Sequence, residues 1–220
     1  MDEIEIAYLG ILSEMAAPTK DIENMTFYHG TSSKAAAEGI MKDGIKTSGK
    51  VSKASLTPVK GAAYVTPHIH YAQIYALGGD MAGSTHKMSD EDENPHGHVF
   101  KISGNKLKDV QPDEDSIGEM VGNKKGPAWL HHLAAKHLTS GTMSKVREGD
   151  YASFARAGKK LVSKMADHEK IDLIVNHGAH VANLSSIKPD EAYRIDKSKK
   201  HLLKSDGSNF FDHAEKVNLE

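Results

Sequence analysis

Residues 27–31, "FYHGT", decide the fold of this chain. The aromatic pair belongs to a short strand over 26–29. Residues 32–44, "SSKAAAEGIMKDG", then predict an alanine-rich helix with a serine cap at its start and a glycine at its end. His29 therefore lies where a strand passes into a helix. Gly30 has no side chain and permits close approach to the backbone, so the pair can fix a hydroxyl-bearing ligand by hydrogen bonds.

A second strand and helix follow at 62–79. "AAYVT" indicates a strand, and "HIHYAQIYALGG" indicates a helix that begins after Pro67 and ends at paired glycines. Tyr64 lies on the strand and Tyr75 on the helix, eleven residues later. The strand, the turn and two helical turns can bring the two rings face to face. Facing rings would make a slot for a flat heterocycle.

The remaining segments predict an α+β fold. "HVFKISG" at 98–104 alternates as a strand does, and 105–126 reads as a polar, turn-rich connection. Amphipathic helices are predicted within 127–138 and 150–170. Three short candidate strands follow: "IDLIV" at 171–175, "HVANL" at 180–184 and "AYRI" at 192–195. Strands at both ends with helices between them indicate a mixed sheet assembled from segments distant in sequence.

The same pattern divides the chain into three parts. Residues 1–24 are predicted to be a helical arm or linker, 25–197 the domain, and 198–220 a polar C-terminal tail. The loops at 46–60 and 80–97 are polar, and the second has almost no apolar residue. The sequence shows no internal repeat.

The composition limits the partners. A formal net charge of -2, from 28 basic and 30 acidic residues, gives no bulk field to hold a polyanion or an anionic membrane. No apolar run reaches the roughly 20 residues of a membrane-spanning helix. The chain contains no cysteine, so disulfides and thiolate sites are excluded, and a cytoplasmic setting fits best. Nothing in the sequence indicates an oligomeric state.

The histidines outside the first motif do not predict a metal site. His68 and His70 are two residues apart on a predicted helix and point to different faces. His131, His132 and His137 lack the four-residue spacing of a helical zinc pair. We therefore expect no metal cofactor.

At these motifs the sequence resembles the ADP-ribosyltransferases of the diphtheria-toxin and poly-ADP-ribose-polymerase branch. That family carries a His-Gly-Thr-like strand, a helix with Ile and Gly-Ile, a Tyr on a short strand followed by Thr or Ala, a second Tyr eleven residues later, and a late glutamate. Here the matches are 29–31, "EGIMKDGI" at 38–45, Tyr64 with Thr66, and Tyr75. The resemblance is close over 27–79 and elsewhere follows only the order of elements. It implies a split mixed sheet with flanking helices and a helical insertion.

The resemblance also implies roles for single residues. His29 would hydrogen-bond the 2′-hydroxyl of the nicotinamide ribose of NAD, and the Gly30 backbone would bond the nicotinamide amide. Tyr64 and Tyr75 would sandwich the nicotinamide ring. Thr31 and Ser32 would lie near the adenosine side. NAD is a substrate in this interpretation.

The acid of the family's signature has two candidate positions. Glu191 in "KPDEAYRI" precedes a strand in the pattern of the family's glutamate, which predicts His29, Tyr64 and Glu191 as the catalytic set. In the alternative register, "IDLIV" and "HVANLSSI" are the last two core strands and "AYRI" is an addition. His180 or a neighbour would then occupy the acidic position, and transferase activity would be in doubt.

The function implied is an NAD-dependent mono-ADP-ribosyltransferase. It would cleave the nicotinamide-ribose bond and transfer ADP-ribose to a macromolecular acceptor, which is a protein or a nucleic acid. By analogy such a small domain fits an effector of a phage or a toxin system. Two alternatives stay open: a catalytically inactive NAD- or ADP-ribose-binding module, and an RNA 2′-phosphotransferase-like enzyme, although the basic motifs of the latter are not found.

Overall fold

The computed structural model describes residues 21–46, 62–78, 94–108 and 110–219, without the side chain of Tyr151. The chain forms two compact units. We call Glu23–Val110 with His180–Glu220 the sheet unit. Gln111–Ala179 makes up the described part of the second unit, the helical unit, apart from residues 21 and 22. The fold is mixed α and β, as predicted: the helical unit consists mainly of α-helices, and the sheet unit contains most of the strands of two sheets together with further helices.

The strands are, in chain order, β1 (Thr26–Thr31), β2 (Ala63–Val65), β3 (His96–Ser103), β4 (Val110–Pro112), β5 (Val181–Asn183), β6 (Glu191–Asp196) and β7 (Glu215–Val217). One sheet has the order β1-β3-β6-β7, and its pairs are antiparallel. The second has the order β2-β5-β4, with β2 and β5 antiparallel. The two sheets meet where a single bridge joins Tyr28 of β1 to Thr66, just after β2.

The α-helices of the described residues are α1 (Lys34–Asp43), α2 (Ile69–Ala76), α3 (Glu114–Gly122), α4 (Ala128–His137), α5 (Ser140–Arg147), α6 (Tyr151–Val162), α7 (Asp167–Val175) and α8 (Phe210–His213). Helix α1 begins and ends as its sequence predicts. The Ser33 hydroxyl accepts a hydrogen bond from Ala36 N, and Gly44 closes the helix at φ 81, a left-handed conformation that a side chain would strain.

Helix α2 packs directly on the first sheet because two strand glycines leave room for its backbone. A Cβ at Gly30 would lie 2.7 Å from the carbonyl carbon of Ala72 and closer still to its oxygen, and Gly97 meets Ala76 in the same way. The fully buried Val99 and Phe210 fill the space beside this contact. The position of α2 is thus set by glycines at 30 and 97.

The helical unit has its own apolar core. Helices α3 and α6 cross with their backbones in contact, because Gly118 faces Phe154 and Gly158 faces Glu114. Trp129 is buried, and its indole N–H donates to the carboxylate of Asp172. The predicted helices at 127–138 and 150–170 are present as α4 and as α6 with the start of α7.

Two sequence predictions about elements are wrong. Residues 171–175, "IDLIV", were expected to form a strand but form the end of α7. Residues 105–126 were expected to be a turn-rich connection but contain β4 and α3. In 171–175 a short apolar run fits a helix and a strand equally well, whereas in 105–126 the many polar residues concealed a helix whose apolar face, with Ile117 and Val121, is buried.

The C-terminal segment takes part in the first sheet. Residues 198–220, which we predicted to be a polar tail, include α8 and β7, and β7 pairs with β6. Most of the predicted arm at 1–24 and most of the loops at 46–60 and 80–97 lie outside the described residues. Among the described helices, none has the length and apolar character needed to cross a membrane.

Candidate functional site

His29 lies at the point where the two sheets separate. Tyr28 and Thr66 exchange two backbone hydrogen bonds, at 2.8 Å from Tyr28 N and 2.9 Å from Thr66 N. One residue further along β1, the side chain of His29 makes the next contact between the strands. Its Nδ1 lies 2.9 Å from the carbonyl oxygen of Tyr64. The structure therefore brings the predicted residues His29 and Tyr64 together.

The ring of His29 replaces a backbone contact that a continuous sheet would contain. The backbone N–H and C=O of Tyr28 both point towards β2. These groups point to alternate sides of a strand from one residue to the next, so those of Gly30 point towards β2 as well. In a continuous antiparallel pair, Gly30 N–H would donate to the Tyr64 carbonyl oxygen. In this structure that oxygen accepts from His29 Nδ1 instead. No backbone hydrogen bond joins Gly30 to β2 in the part of the chain that the structure describes. The N–H and C=O of Gly30 consequently face the gap between β1 and β2, which we call the split.

The contact with Tyr64 fixes the tautomer of His29. A carbonyl oxygen only accepts, so Nδ1 carries the hydrogen and Nε2 holds a free lone pair in the neutral ring. Burial lowers the pKa of His29, and the hydrogen bond to the Tyr64 carbonyl opposes this in part. The ring is therefore neutral at pH 7, and its Nε2 can accept a hydrogen bond from a hydroxyl group.

The other predicted binding residues surround β1 and α2. Tyr64 is half-buried on β2, and Tyr75 on α2 is 44% exposed. Thr31 ends β1, and its hydroxyl accepts a hydrogen bond from Ser33 N at 3.2 Å. Ser32 is buried, and its carbonyl accepts from the Asn94 side chain. Thr31 and Ser32 thus belong to the junction of β1 with α1.

Glu191 lies at the start of β6 and is held by cations. Lys101 Nζ is 3.0 Å from one carboxylate oxygen, and Lys216 Nζ is 2.6 Å from the other, which also accepts from the Tyr193 hydroxyl. The hydrogen bonds from Lys216, Tyr193 and Lys101 lower the pKa of the Glu191 carboxyl to about 2. The carboxylate is therefore ionised, with its charge offset locally.

The strand register separates Glu191 from His29. Glu191 pairs with Lys101, and Lys101 pairs with Tyr28, so Glu191 shares a sheet face with Tyr28. Side chains alternate along a strand, so His29 starts from the opposite face. Two strand spacings, about 10 Å, separate β6 from β1. The structure does not bring the carboxylate of Glu191 to the split side of His29.

A cluster of rings lies at the start of α2 and β5. Tyr71 packs edge-on against His180, with centroids 4.4 Å apart, and against His70 at 4.1 Å. His68 lies 5.5 Å from His70. Burial lowers the pKa of His180 to about 4, and the nearby His68 and His70 add to this. Burial also lowers the pKa of His70, while Asp206 opposes it. We call these four residues the ring cluster.

Sequence reasoning missed Tyr71. The eleven-residue spacing from Tyr64 selected Tyr75 on this helix and not Tyr71. Tyr71 and Tyr75 are four residues apart, however, and share a helix face. That spacing was the available signal. Despite the three histidines of the ring cluster, no group of three or more ligating side chains within the described ranges is arranged to hold a metal ion.

Comparison with known proteins adds no relative. Neither a family model, nor a curated protein, nor a solved structure matches the chain.

The lowered pKa of His180 gives a stability prediction. An unfolded histidine takes up a proton near pH 6.5, whereas His180 in the fold does so only near 4, so stability falls with pH between these values. From pH 7.5 to pH 5 this residue alone should remove about 2 kcal/mol of unfolding free energy. The measurement is urea denaturation of wild type and His180→Gln at both pH values.

Taking the difference between the two proteins cancels groups that both contain. These include Asp113 in the helical unit, where burial and the carboxylates of Asp115 and Glu114 raise the pKa to about 7 and so favour the fold in acid. Equal losses of stability in wild type and variant would contradict the prediction.

Proposed function

We propose that the chain is an NAD-dependent mono-ADP-ribosyltransferase that cleaves the nicotinamide-ribose bond and transfers ADP-ribose to a macromolecular acceptor. The observation that carries the proposal is the hydrogen bond from His29 Nδ1 to the Tyr64 carbonyl, which joins β1 to β2 beside the last backbone pair between them. This arrangement leaves one acceptor, Nε2, and the backbone pair of Gly30 facing the split. Those groups match the polar groups of a nicotinamide riboside.

Each contact has a chemical counterpart on NAD. The nicotinamide carboxamide carries one acceptor and two donors, which complement the adjacent N–H and C=O of Gly30. The 2′-hydroxyl of the ribose donates to Nε2 of His29. Tyr64, and Tyr75 on α2, supply aromatic surface for the nicotinamide ring, and Thr31 and Ser32 lie further along the chain towards the adenosine.

The fold is compatible with this proposal. The predicted split sheet has a counterpart in two sheets that meet at the Tyr28–Thr66 bridge, and in the sequence the segment 111–179 of the helical unit comes between the two segments of the sheet unit. A split next to His29 gives a flat ring access to the backbone of β1. In a continuous sheet the backbone N–H and C=O groups of β1 would instead be hydrogen-bonded to the neighbouring strand.

The reaction needs no redox step. Breaking the bond between C1′ and the nicotinamide nitrogen returns an electron pair to a nitrogen that carries positive charge, and it leaves an oxocarbenium-like ribose. Groups that bind this cation better than they bind the ground state accelerate the step. Glu191 remains the candidate that the sequence pattern favours, and a carboxylate is suited to this role.

A catalytically inactive NAD- or ADP-ribose-binding module is the second candidate. It is favoured by the environment of Glu191, whose carboxylate is engaged by Lys101, Lys216 and Tyr193. A carboxylate so neutralised offers little negative charge to a ribose cation. In that case the split holds the ligand and no bond is broken.

The two candidates are separated by incubating the purified protein with NAD and measuring free nicotinamide by chromatography. Mass spectrometry of added lysate protein and of added nucleic acid then identifies the acceptor. Nicotinamide release with an ADP-ribose adduct supports the transferase. Saturable binding without release supports the module, and the absence of binding refutes both.

A further inference from the structure

The strand directly behind Tyr64 is β5. Tyr64 pairs with Ala182 and Val65 with Val181, so the antiparallel register places His180 opposite Thr66. Thr66 is the residue bridged to Tyr28. A row of three residues, Tyr28, Thr66 and His180, therefore crosses from one sheet to the other at the point where they meet.

The side chain of His180 starts from the same sheet face as Gly30 and Tyr64. Side chains two residues apart on a strand share a face, which relates Thr66 to Tyr64 and Tyr28 to Gly30. Helix α2 lies on this face over Gly30. The ring of His180 contacts Tyr71, the residue before Ala72, whose backbone covers Gly30. His180 is thus next to the wall of the split that Tyr64 forms.

Glu191 starts from the same sheet face, through Lys101 and Tyr28, but it lies two strands away from the split. Its strand pairs with β3 and β7, on the side of β1 away from the split, and its two oxygens are bound to Lys101, Lys216 and Tyr193. Freeing the carboxylate would require breaking two ion pairs. The residue before "VANL" fits these pairings better than Glu191 does, although "IDLIV", the other strand of the alternative register, is helical.

We infer that His180 is the general base of the transfer step, an inference that rests on the proposed function. The acceptor hydroxyl attacks C1′ of the ribose as the bond from C1′ to the nicotinamide nitrogen breaks. The electron pair of that bond stays on the nicotinamide, which leaves neutral. The proton of the hydroxyl passes to the imidazole of His180, which becomes an imidazolium and later returns it to water.

The environment of His180 keeps its ring unprotonated at neutral pH. Burial and the neighbouring His68 and His70 lower its pKa to about 4, so the ring is neutral and able to accept a proton. Its proton affinity is then close to that of an ordinary carboxyl group. It differs from a carboxylate in carrying no negative charge, so it does not stabilise the ribose cation. A glutamate at position 180 would supply both a proton acceptor and a negative charge.

The test compares His180→Gln and His180→Glu with His201→Gln, an exposed histidine of the same unit, as the matched control. We expect His180→Gln to lower kcat for transfer at least 100-fold with NAD affinity within threefold of wild type. His180→Glu should restore at least wild-type rates, and His201→Gln should leave the rate within twofold. Loss of packing alone would not be reversed by glutamate.

A pH profile of the wild-type rate tests the same assignment without substitution. We expect kcat to be constant between pH 5.5 and pH 8 and to fall with a midpoint near the pKa of His180, about 4. If the rate persists down to the pKa of Glu191, about 2, or if Glu191→Gln abolishes transfer while His180→Gln does not, the inference is overturned.

These outcomes are distinguishable from failure of the proposed function. If wild type turns over NAD and His180→Gln does so equally well, only the role of His180 is wrong. If wild type binds no NAD, the proposed function is refuted, and the role of His180 is refuted with it.

Discussion

Replacing His29 with alanine is expected to reduce nicotinamide release about 100-fold and to weaken NAD binding about tenfold. The variant removes Nε2 as the acceptor for the ribose hydroxyl, and one such hydrogen bond contributes about 0.5–1.5 kcal/mol. It also frees the Tyr64 carbonyl, which lies 2.9 Å from Nδ1 in the native protein. Gly30 N–H can then donate to that carbonyl and close the split. Calorimetry with NAD and a nicotinamide assay measure the two effects.

The control for this variant is His201→Ala. His201 is exposed and lies in the 3-10 helix Lys197–Leu202 of the same unit, where its ring contacts only the backbone of Ser198 among the hydrogen-bond partners described. It should bind NAD as wild type does. If His29→Ala folds normally by circular dichroism and still binds and cleaves NAD like the control, the site is not at His29.

Gly30→Ala is expected to destabilise the sheet unit by about 3 kcal/mol or more. The new Cβ would lie 2.7 Å from the carbonyl carbon of Ala72 and closer to its oxygen, and a helix backbone cannot yield as a flexible side chain does. Helix α2 would have to move away from β1. NAD binding should fall with stability because the same movement displaces the walls of the split. Urea denaturation and calorimetry measure both.

Gly39→Ala is the matched substitution. Gly39 lies inside α1, is exposed, and has no atom within 4 Å of a Cβ built on it. Alanine is the better helix former, so this variant should gain about 0.5–1 kcal/mol and retain NAD binding. A Gly30→Ala protein as stable as Gly39→Ala would show that α2 does not press on β1.

The elements around the first motif could be predicted because their signals are local. Ser33 and Gly44 mark the ends of α1 by hydrogen bonding and backbone conformation, which depend on neighbouring residues. The alternation at 98–104 likewise falls within β3. By contrast, "IDLIV" at 171–175 is a short apolar run without a period. Leu173 and Ile174 are buried inside the helical unit, and that packing makes the segment helical.

The residues of the candidate site also differ in whether local sequence motifs could predict them. His29, Gly30 and Tyr64 follow from motifs that lie within 36 residues of sequence, and the structure joins His29 to Tyr64. The choice between Glu191 and His180 depends on which late strand pairs with β2. Strand pairing is a long-range property, so two short strands of similar composition could be assigned in either order. The ion pairs of Glu191 with Lys101 and Lys216 are equally non-local, and no spacing in the sequence indicates them.

The most direct measurement is nuclear magnetic resonance of histidine ring nitrogens and backbone amides during titration with NAD. We expect His29 Nε2 to be unprotonated in the free protein, and its resonance and the Gly30 amide resonance to shift in a saturable manner as NAD is added. The His201 ring should not respond. If His29 Nε2 is protonated at pH 7, or if neither His29 nor Gly30 responds to millimolar NAD, the split is not an NAD site.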